Sequence, residues 1–383
     1  MEPPLTNYDV QPFHVRWPEA DIDRVLGQVR TYRFPPTPPA QGWSYGCDAE
    51  LLTRVQRHWL DRYDWRQAQA DLNAHPQFTA RVDGVDIHFI HIRGESAQPR
   101  PLLITHGWPS TPFEFRSIIE PLAFPSRFGG HAEDAFDLVI PSLPGFAYTP
   151  FPGRAVGPRA TAALWRTLMV DVLGYRKFRA HGGDFGALVT SWLGADHSDV
   201  TTAIHLTMIP FAPADGAQTK EEADRLKVSR RRTRELGAYM ALQVSKPQSL
   251  SYAMSDNALA QAAWIIERLH DWADLRTRTF EEIFPLDDLV TAAMLYIMPN
   301  AFASAAWYYR FQAEEQAPLQ TRCDTPTACA NFHGEPLYLP PPRSWAERAY
   351  NIVRWTDFAE GGHFGAIEQP NALIDDLRAW AAA

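Results

Sequence analysis

A chain of 383 residues can bury a sizeable core, as one large domain with insertions or as two unequal ones. Its net charge of −9 argues against a nucleic-acid surface, which needs a basic stripe facing phosphates, while 45% hydrophobic and 21% charged residues suit a globular enzyme. Three cysteines, Cys47, Cys323 and Cys329, cannot make a paired disulfide framework and lack metal-type spacing with histidines, which points to a reducing compartment.

The first twenty residues hold neither the apolar core nor the basic leader of a signal peptide, and no stretch approaches the ~18 apolar residues of a membrane span. A soluble, cytoplasmic protein without a membrane anchor is expected. Residues 1–95 are polar and rich in Trp and Pro. Within them Asp48 to His58 predicts an amphipathic helix, and Phe78 to Ile92 a hairpin turning at Asp83-Gly84. This stretch has no catalytic constellation and is expected to be an N-terminal arm packed on the main body.

From Pro101 the texture changes. PLLITHG, DLVIPSLPG, KFRAHGGD and TTAIHL are short apolar runs, most of them ending at glycine and followed by helix-compatible sequence. Buried strands alternating with helices predict a mostly parallel sheet with helices on both faces. Residues from about 211 to 320 then have helical patterning almost throughout, and strand-type sequence returns in TACANFH and AYNIVRWTDF. The expected division is an arm at 1–95, a first core segment at 96–210, a helical cap at 211–320 and a second core segment at 321–383. Ligand sites in such sheets lie at the C-terminal strand ends, beneath a cap so placed.

Gly182-Gly183-Asp184-Phe185-Gly186 follows a strand pattern and precedes a helix pattern. Small residues two positions either side of the centre mark a nucleophile elbow, the strained turn of the α/β-hydrolase fold, here built around aspartate instead of serine. No GxSxG occurs in the chain. The partners follow in the order that fold requires. Glu335 lies just beyond one strand pattern, and His363 lies in Gly361-Gly362-His363-Phe364 beyond the last. His106-Gly107-Trp108-Pro109 follows the first core strand. Since Pro109 has no N–H, the expected oxyanion donors are the backbone N–H groups of Trp108 and Phe185.

A carboxylate can displace a leaving group from saturated carbon directly, forming an alkyl ester on the enzyme. Water activated by His363, oriented by Glu335, would then cleave that ester. This narrows the substrates to epoxides or alkyl halides, and the chemistry calls for no cofactor or metal.

The chain resembles the microsomal-type epoxide hydrolases over nearly its full length. The resemblance is carried by Trp43, Tyr45-Gly46, Trp59, Tyr63-Asp64-Trp65-Arg66, Leu72-Asn73 and Pro76-Gln77-Phe78-Thr79 in the arm. It continues in Asp86-Ile87-His88-Phe89-Ile90-His91, His106-Gly107-Trp108-Pro109, Pro141-Ser142-Leu143-Pro144-Gly145-Phe146, Gly182-Gly183-Asp184 and Gly361-Gly362-His363-Phe364. It implies hydrolysis of a small-molecule epoxide to a vicinal diol, in detoxification or secondary metabolism, and two cap tyrosines that donate to the epoxide oxygen. Tyr239 matches the first position and Tyr309 the second, with Tyr308 an adjacent rival. Two departures stand out: Ser110-Thr111-Pro112 replaces a Gly-Ser pair, and Met298-Pro299-Asn300 is expected to kink the helix carrying Tyr309. A homodimeric assembly is left open.

Two alternatives share the fold. A haloalkane dehalogenase would use the same aspartate, but that family places a halide-binding Trp after the nucleophile, where this chain has Phe185. A non-catalytic binding protein would be expected to lack a member of the triad.

Overall fold

The computed structural model describes residues 9–38 and 42–382; the first eight residues, part of the N-terminus expected to lack a leader, lie outside these. The strands are β1 (Val10–Phe13), β2 (Gln77–Val82), β3 (Val85–Ile92), β4 (Arg100–Thr105), β5 (Phe136–Pro141), β6 (Phe178–Gly182), β7 (Thr201–Leu206), β8 (Cys323–Phe332) and β9 (Tyr350–Phe358). Among the described residues they form one sheet in the order β1-β2-β3-β5-β4-β6-β7-β8-β9. From β5 across to β9 every pairing is parallel, while β1, β2 and β3 are antiparallel additions at one edge.

The expected hairpin forms, with Val82 opposite Val85. Its turn holds Asp83 at φ 48° and Gly84 at φ 81°, the two left-handed residues that a two-residue hairpin loop needs. β3 also pairs with β5, Ile90 opposite Ile140, so residues of the arm extend the sheet itself. Helices α1 (Glu19–Thr31), α2 (Ala49–Asp61) and α3 (Trp65–Leu72) complete this region. Asp48 caps α2 by accepting from the Leu51 N–H, and Asp64 caps α3 through Arg66 and Gln67.

Strand residues alternate between two apolar layers. Leu103 and Val139 face a layer containing Trp165, Val189 and Trp192, from α5 (Pro158–Thr167) and α6 (Phe185–Asp196). Leu102, Ile104, Leu138 and Ile140 face the other, with Ile118 and Leu122 of α4 (Arg116–Ala123) and with Leu373, Leu377 and Trp380 near the C-terminus. Both faces of the sheet are therefore covered.

Between β7 and β8 the chain is helical: α7 (Lys220–Leu236), α8 (Ala238–Ser245), α9 (Pro247–Met254), α10 (Ala258–Trp272), α11 (Phe280–Ile283), α12 (Leu286–Ile297) and α13 (Phe302–Glu315). Two breaks set where the helices bearing Tyr239 and Tyr309 begin. Gly237 separates α7 from α8; a β-carbon there would meet the Thr233 carbonyl oxygen at 2.3 Å. Met298-Pro299-Asn300 does more than the expected kink. It ends α12, and the chain restarts as α13 at 76°, because Pro299 cannot donate an N–H and Asn300 adopts φ 55°. No single described helix is long and apolar enough to cross a membrane; α12 and α13 have that composition only as a bent pair. The chain closes with α14 (Arg343–Ala349), α15 (Gly365–Glu368) and α16 (Pro370–Ala382).

Candidate active site

Asp184 occupies the turn between β6 and α6 with φ 50° and ψ −127°, a strained conformation for a residue bearing a β-carbon. The glycines around it are a steric requirement. A β-carbon at Gly182 would lie 2.2 Å from the Gly186 carbonyl oxygen, and one at Gly186 would lie 1.9 Å from that of Thr105. At Gly107 it would meet the Asp184 side chain at 2.3 Å. Such approaches hold the carboxylate against the loop that follows β4.

The two carboxylate oxygens have different surroundings. Oδ1 accepts from the backbone N–H groups of Trp108 at 3.0 Å and Phe185 at 2.7 Å. Oδ2 lies 3.5 Å from Nε2 of His363. The other imidazole nitrogen, Nδ1, is 2.7 Å from Oε2 of Glu335. Glu335 is itself fixed, since its Oε1 accepts from the N–H groups of Leu337 and Tyr338 at 2.9 and 3.0 Å. Burial disfavours charge on His363, but the Glu335 and Asp184 carboxylates outweigh it and hold its pKa well above the usual imidazole value.

The histidine loop is fastened by residues that sequence patterning did not single out. The His363 N–H donates to the Trp272 carbonyl at the end of α10. Glu368 accepts from the N–H groups of Gly362, Phe364 and Asp274, and Asp274 accepts from that of Gly361. These contacts tie the loop to the helical insertion as well as to the sheet. No motif in the sequence signals them.

The tyrosine hydroxyls separate clearly. Tyr239 is buried in the first turn of α8, its ring stacked on Trp108 at 5.3 Å between centroids. Tyr309 on α13 meets Tyr239, Trp108 and Phe185 edge-on. The neighbouring Tyr308 points elsewhere, its hydroxyl 2.8 Å from that of Thr161. Burial, reinforced by the negative charge of Asp184, raises the pKa of both Tyr239 and Tyr309, so each keeps its proton at neutral pH. A third hydroxyl joins them. Tyr338, in the loop beyond β8, brings its oxygen within 3.5 Å of that of Tyr239.

Asp184 fronts two spaces. One is a cavity of about 370 Å³ walled mainly by apolar side chains, among them Leu188, Met208, Phe211, Leu226 and Met240, with Tyr309 and Tyr338 beside the carboxylate. The other is a polar chamber of about 20 Å³ bordered by Asp184, His363, Ser110, Glu114 and Thr207, which is room for one water. Burial pushes the Glu114 carboxyl up to about 7, against the Ser110 hydrogen bond and the His363 charge. The only hint of it in the sequence is an acidic residue in an otherwise apolar segment, Pro112 to Phe115. Among the described residues no cluster of His, Cys, Asp and Glu could hold a metal ion.

Comparisons with known proteins point to one family. Residues 10–115 match the family model described as epoxide hydrolase N terminus. Over 374 residues the chain is 34% identical to a protein of Stigmatella aurantiaca assigned as an epoxide hydrolase, covering 96% of this chain and 84% of that protein. Epoxide hydrolase 1 of Oryctolagus cuniculus is 28% identical over 97% of this chain and 89% of its own length. The Aspergillus niger epoxide hydrolase structure superposes with a TM-score of 0.86 at 29% identity, covering 98% of this chain and 97% of that one. A carboxylate at the elbow, a histidine beside it and likeness over nearly the whole length lead to one conclusion: the chain belongs to the epoxide hydrolases of the α/β-hydrolase fold, enzymes that add water to epoxides.

Proposed function

We propose that Asp184 opens the epoxide by covalent attack and that His363 governs release of the product. The observation carrying this reading is the inequivalence of the Asp184 oxygens: Oδ1 accepts two backbone N–H bonds, whereas Oδ2 faces His363 and takes no backbone N–H among the described residues. Oδ2 attacks one ring carbon, the carbon–oxygen bond breaks, and Tyr239 or Tyr309 protonates the departing alkoxide. Oδ1 becomes the ester carbonyl oxygen, already seated between Trp108 and Phe185 for the charge of the next step.

Esterification removes the negative charge from Asp184. One of the two carboxylates favouring imidazolium is then gone, so the His363 pKa falls. Its proton passes to the tyrosinate left by ring opening, which frees the imidazole to act as the base. Water in the polar chamber gives a proton to His363 and attacks the ester carbon. The diol departs with Oδ2 and takes that proton, and the proton on the regenerated carboxyl group returns to His363. Glu335 orients the imidazole and stabilises its charged form. In this reading residues 1–95 are an arm, 96–210 and 321–383 the catalytic core, and 211–320 a cap that shields the ester from bulk solvent.

Single turnover in heavy-oxygen water tests the proposal. The first diol should carry no label, since its new oxygen comes from Asp184. Label in that diol would mean direct attack by water.

A further inference from the structure

A second histidine borders the polar chamber. His181 lies on β6 three residues before Asp184, buried, with its ring edge-on to Phe115. Its Nδ1 is 2.9 Å from Nδ1 of His205, the residue beside it on β7. Two lone pairs cannot face each other at that distance, nor can two N–H bonds, so one nitrogen donates and the other accepts. Asp376 decides which. Its Oδ2 is 3.0 Å from Nε2 of His205, and its Oδ1 accepts from Arg354 and Thr356. Against the effect of burial, the contacts with His205, Thr356 and Arg354 lower the Asp376 pKa to about 2. A carboxylate can only accept, so with one proton per ring His205 carries its own on Nε2 and presents a bare Nδ1. His181 then donates from Nδ1, and its Nε2 is an acceptor with no protein partner among the described residues. Burial, helped by the neighbouring His205 ring, holds the His181 pKa well below the usual imidazole value, which keeps the ring neutral.

A water in so small a chamber has to find about three hydrogen-bond partners in its walls. During ester hydrolysis one O–H points at His363, and the other needs an acceptor as well. Ser110 and Thr207 can take either role, and Glu114 already accepts from Ser110. His181 differs from them in offering a lone pair whose direction is set from behind, by His205 and Asp376. We infer that His181 orients the hydrolytic water, its Nε2 accepting the second O–H so that the water's lone pair faces the ester carbon of Asp184 while His363 takes the first proton. The O–H bond to His181 is not broken. Its proton stays on the attacking oxygen and is the one later carried by the regenerated carboxyl group. Because the His181 ring remains neutral, it does not compete with His363 as the base. The inference rests on hydrolysis of an Asp184 ester and adds the group that aims water at it.

Asparagine and glutamine separate the two ring nitrogens, since the Asn amide sits near the place of Nδ1 and the Gln amide near that of Nε2. Rapid-quench kinetics of the full-length enzyme with styrene oxide measure alkylation and ester hydrolysis apart. His181→Asn keeps a donor toward His205 but withdraws the acceptor from the chamber. It should slow ester hydrolysis by at least about tenfold and leave alkylation within about twofold. His181→Gln returns an acceptor to the chamber, and both rates should stay within about threefold of the unaltered enzyme. The opposite ranking, or unchanged hydrolysis in a folded His181→Asn, would reduce the residue to its contact with His205 and overturn the inference. Nitrogen NMR of the histidine-labelled, unaltered enzyme reads the tautomer directly. A bare Nε2 on His181 is expected, and a protonated one would overturn the inference even if no variant folded. A failure of Asp184 as nucleophile looks different, since no ester would form and there would be no second rate to measure.

Discussion

His363 lies between two carboxylates, with Nε2 3.5 Å from Oδ2 of Asp184 and Nδ1 2.7 Å from Glu335. In the proposed mechanism one of those carboxylates loses its charge during turnover and the other does not. The two halves of the reaction can therefore be separated by substitution.

Replacing His363 with Gln should leave alkylation of Asp184 largely intact and stop hydrolysis. Intact-protein mass spectrometry should find the enzyme heavier by one substrate. Asp184→Ala should abolish adduct and diol together. An absence of adduct in His363→Gln with a proven substrate would rule out a role confined to the second step.

Glu335→Gln removes the charge that remains beside the imidazole after esterification. The pKa of His363 should fall, so the acid limb of ester hydrolysis should move to lower pH. Misorientation of the ring should also slow the plateau rate by at least about tenfold. Rapid-quench rates across pH resolve both effects. An acid limb that stays in place would detach Glu335 from His363.

Tyr239→Phe and Tyr309→Phe should each slow alkylation by at least about tenfold, and the double change should nearly eliminate it. Hydrolysis of a preformed ester should change far less. Tyr308→Phe should leave alkylation near normal, because its hydroxyl bonds Thr161, and should cost about 1 kcal/mol of stability. Pre-steady-state fluorescence would separate these cases; a crippled Tyr308→Phe with a silent Tyr309→Phe would exchange the roles of the pair.

Glu114 gives a stability prediction with a definite sign. An unfolded glutamate titrates near 4.5, whereas burial pushes Glu114 up to about 7 in the folded chain. Between those values the folded state holds a proton that the unfolded state has released, so its stability falls as pH rises through the window. Glu114→Gln removes that penalty. Its gain in Tm over the unaltered enzyme should be larger at pH 8 than at pH 5; equal differences at both would mean that Glu114 titrates normally.

How far the sequence carried these conclusions depends on the range of the interactions. GGDFG, the alternation of apolar runs with helices and the Asp83-Gly84 turn are local signals, and each corresponds to an element of the fold. The helical insertion was legible from periodicity, and a kink at Met298-Pro299-Asn300 from its proline, but not the break at Gly237 or the full 76° turn, where a steric contact or a single left-handed residue interrupts helical patterning. Tyr308 and Tyr309 could not be distinguished by motif, because the choice depends on which way one turn of α13 faces. Tyr338 and the Asp274–Glu368 fastening were invisible because their partners lie far away along the chain, and Glu114 because its burial is made by segments distant in sequence. Asp274 and Glu368, for instance, are 94 residues apart.

The pairing of β3 with β5 bears on how the polypeptide can be divided. A version beginning after Ile92 would keep Asp184, Tyr239, Tyr309, Glu335 and His363 yet leave the backbone donors and acceptors of β5 open along one side. Such a bare strand is a template for another chain. Trimming the N-terminal segment should therefore yield aggregated protein rather than a smaller enzyme, and insolubility after truncation would say nothing about catalysis.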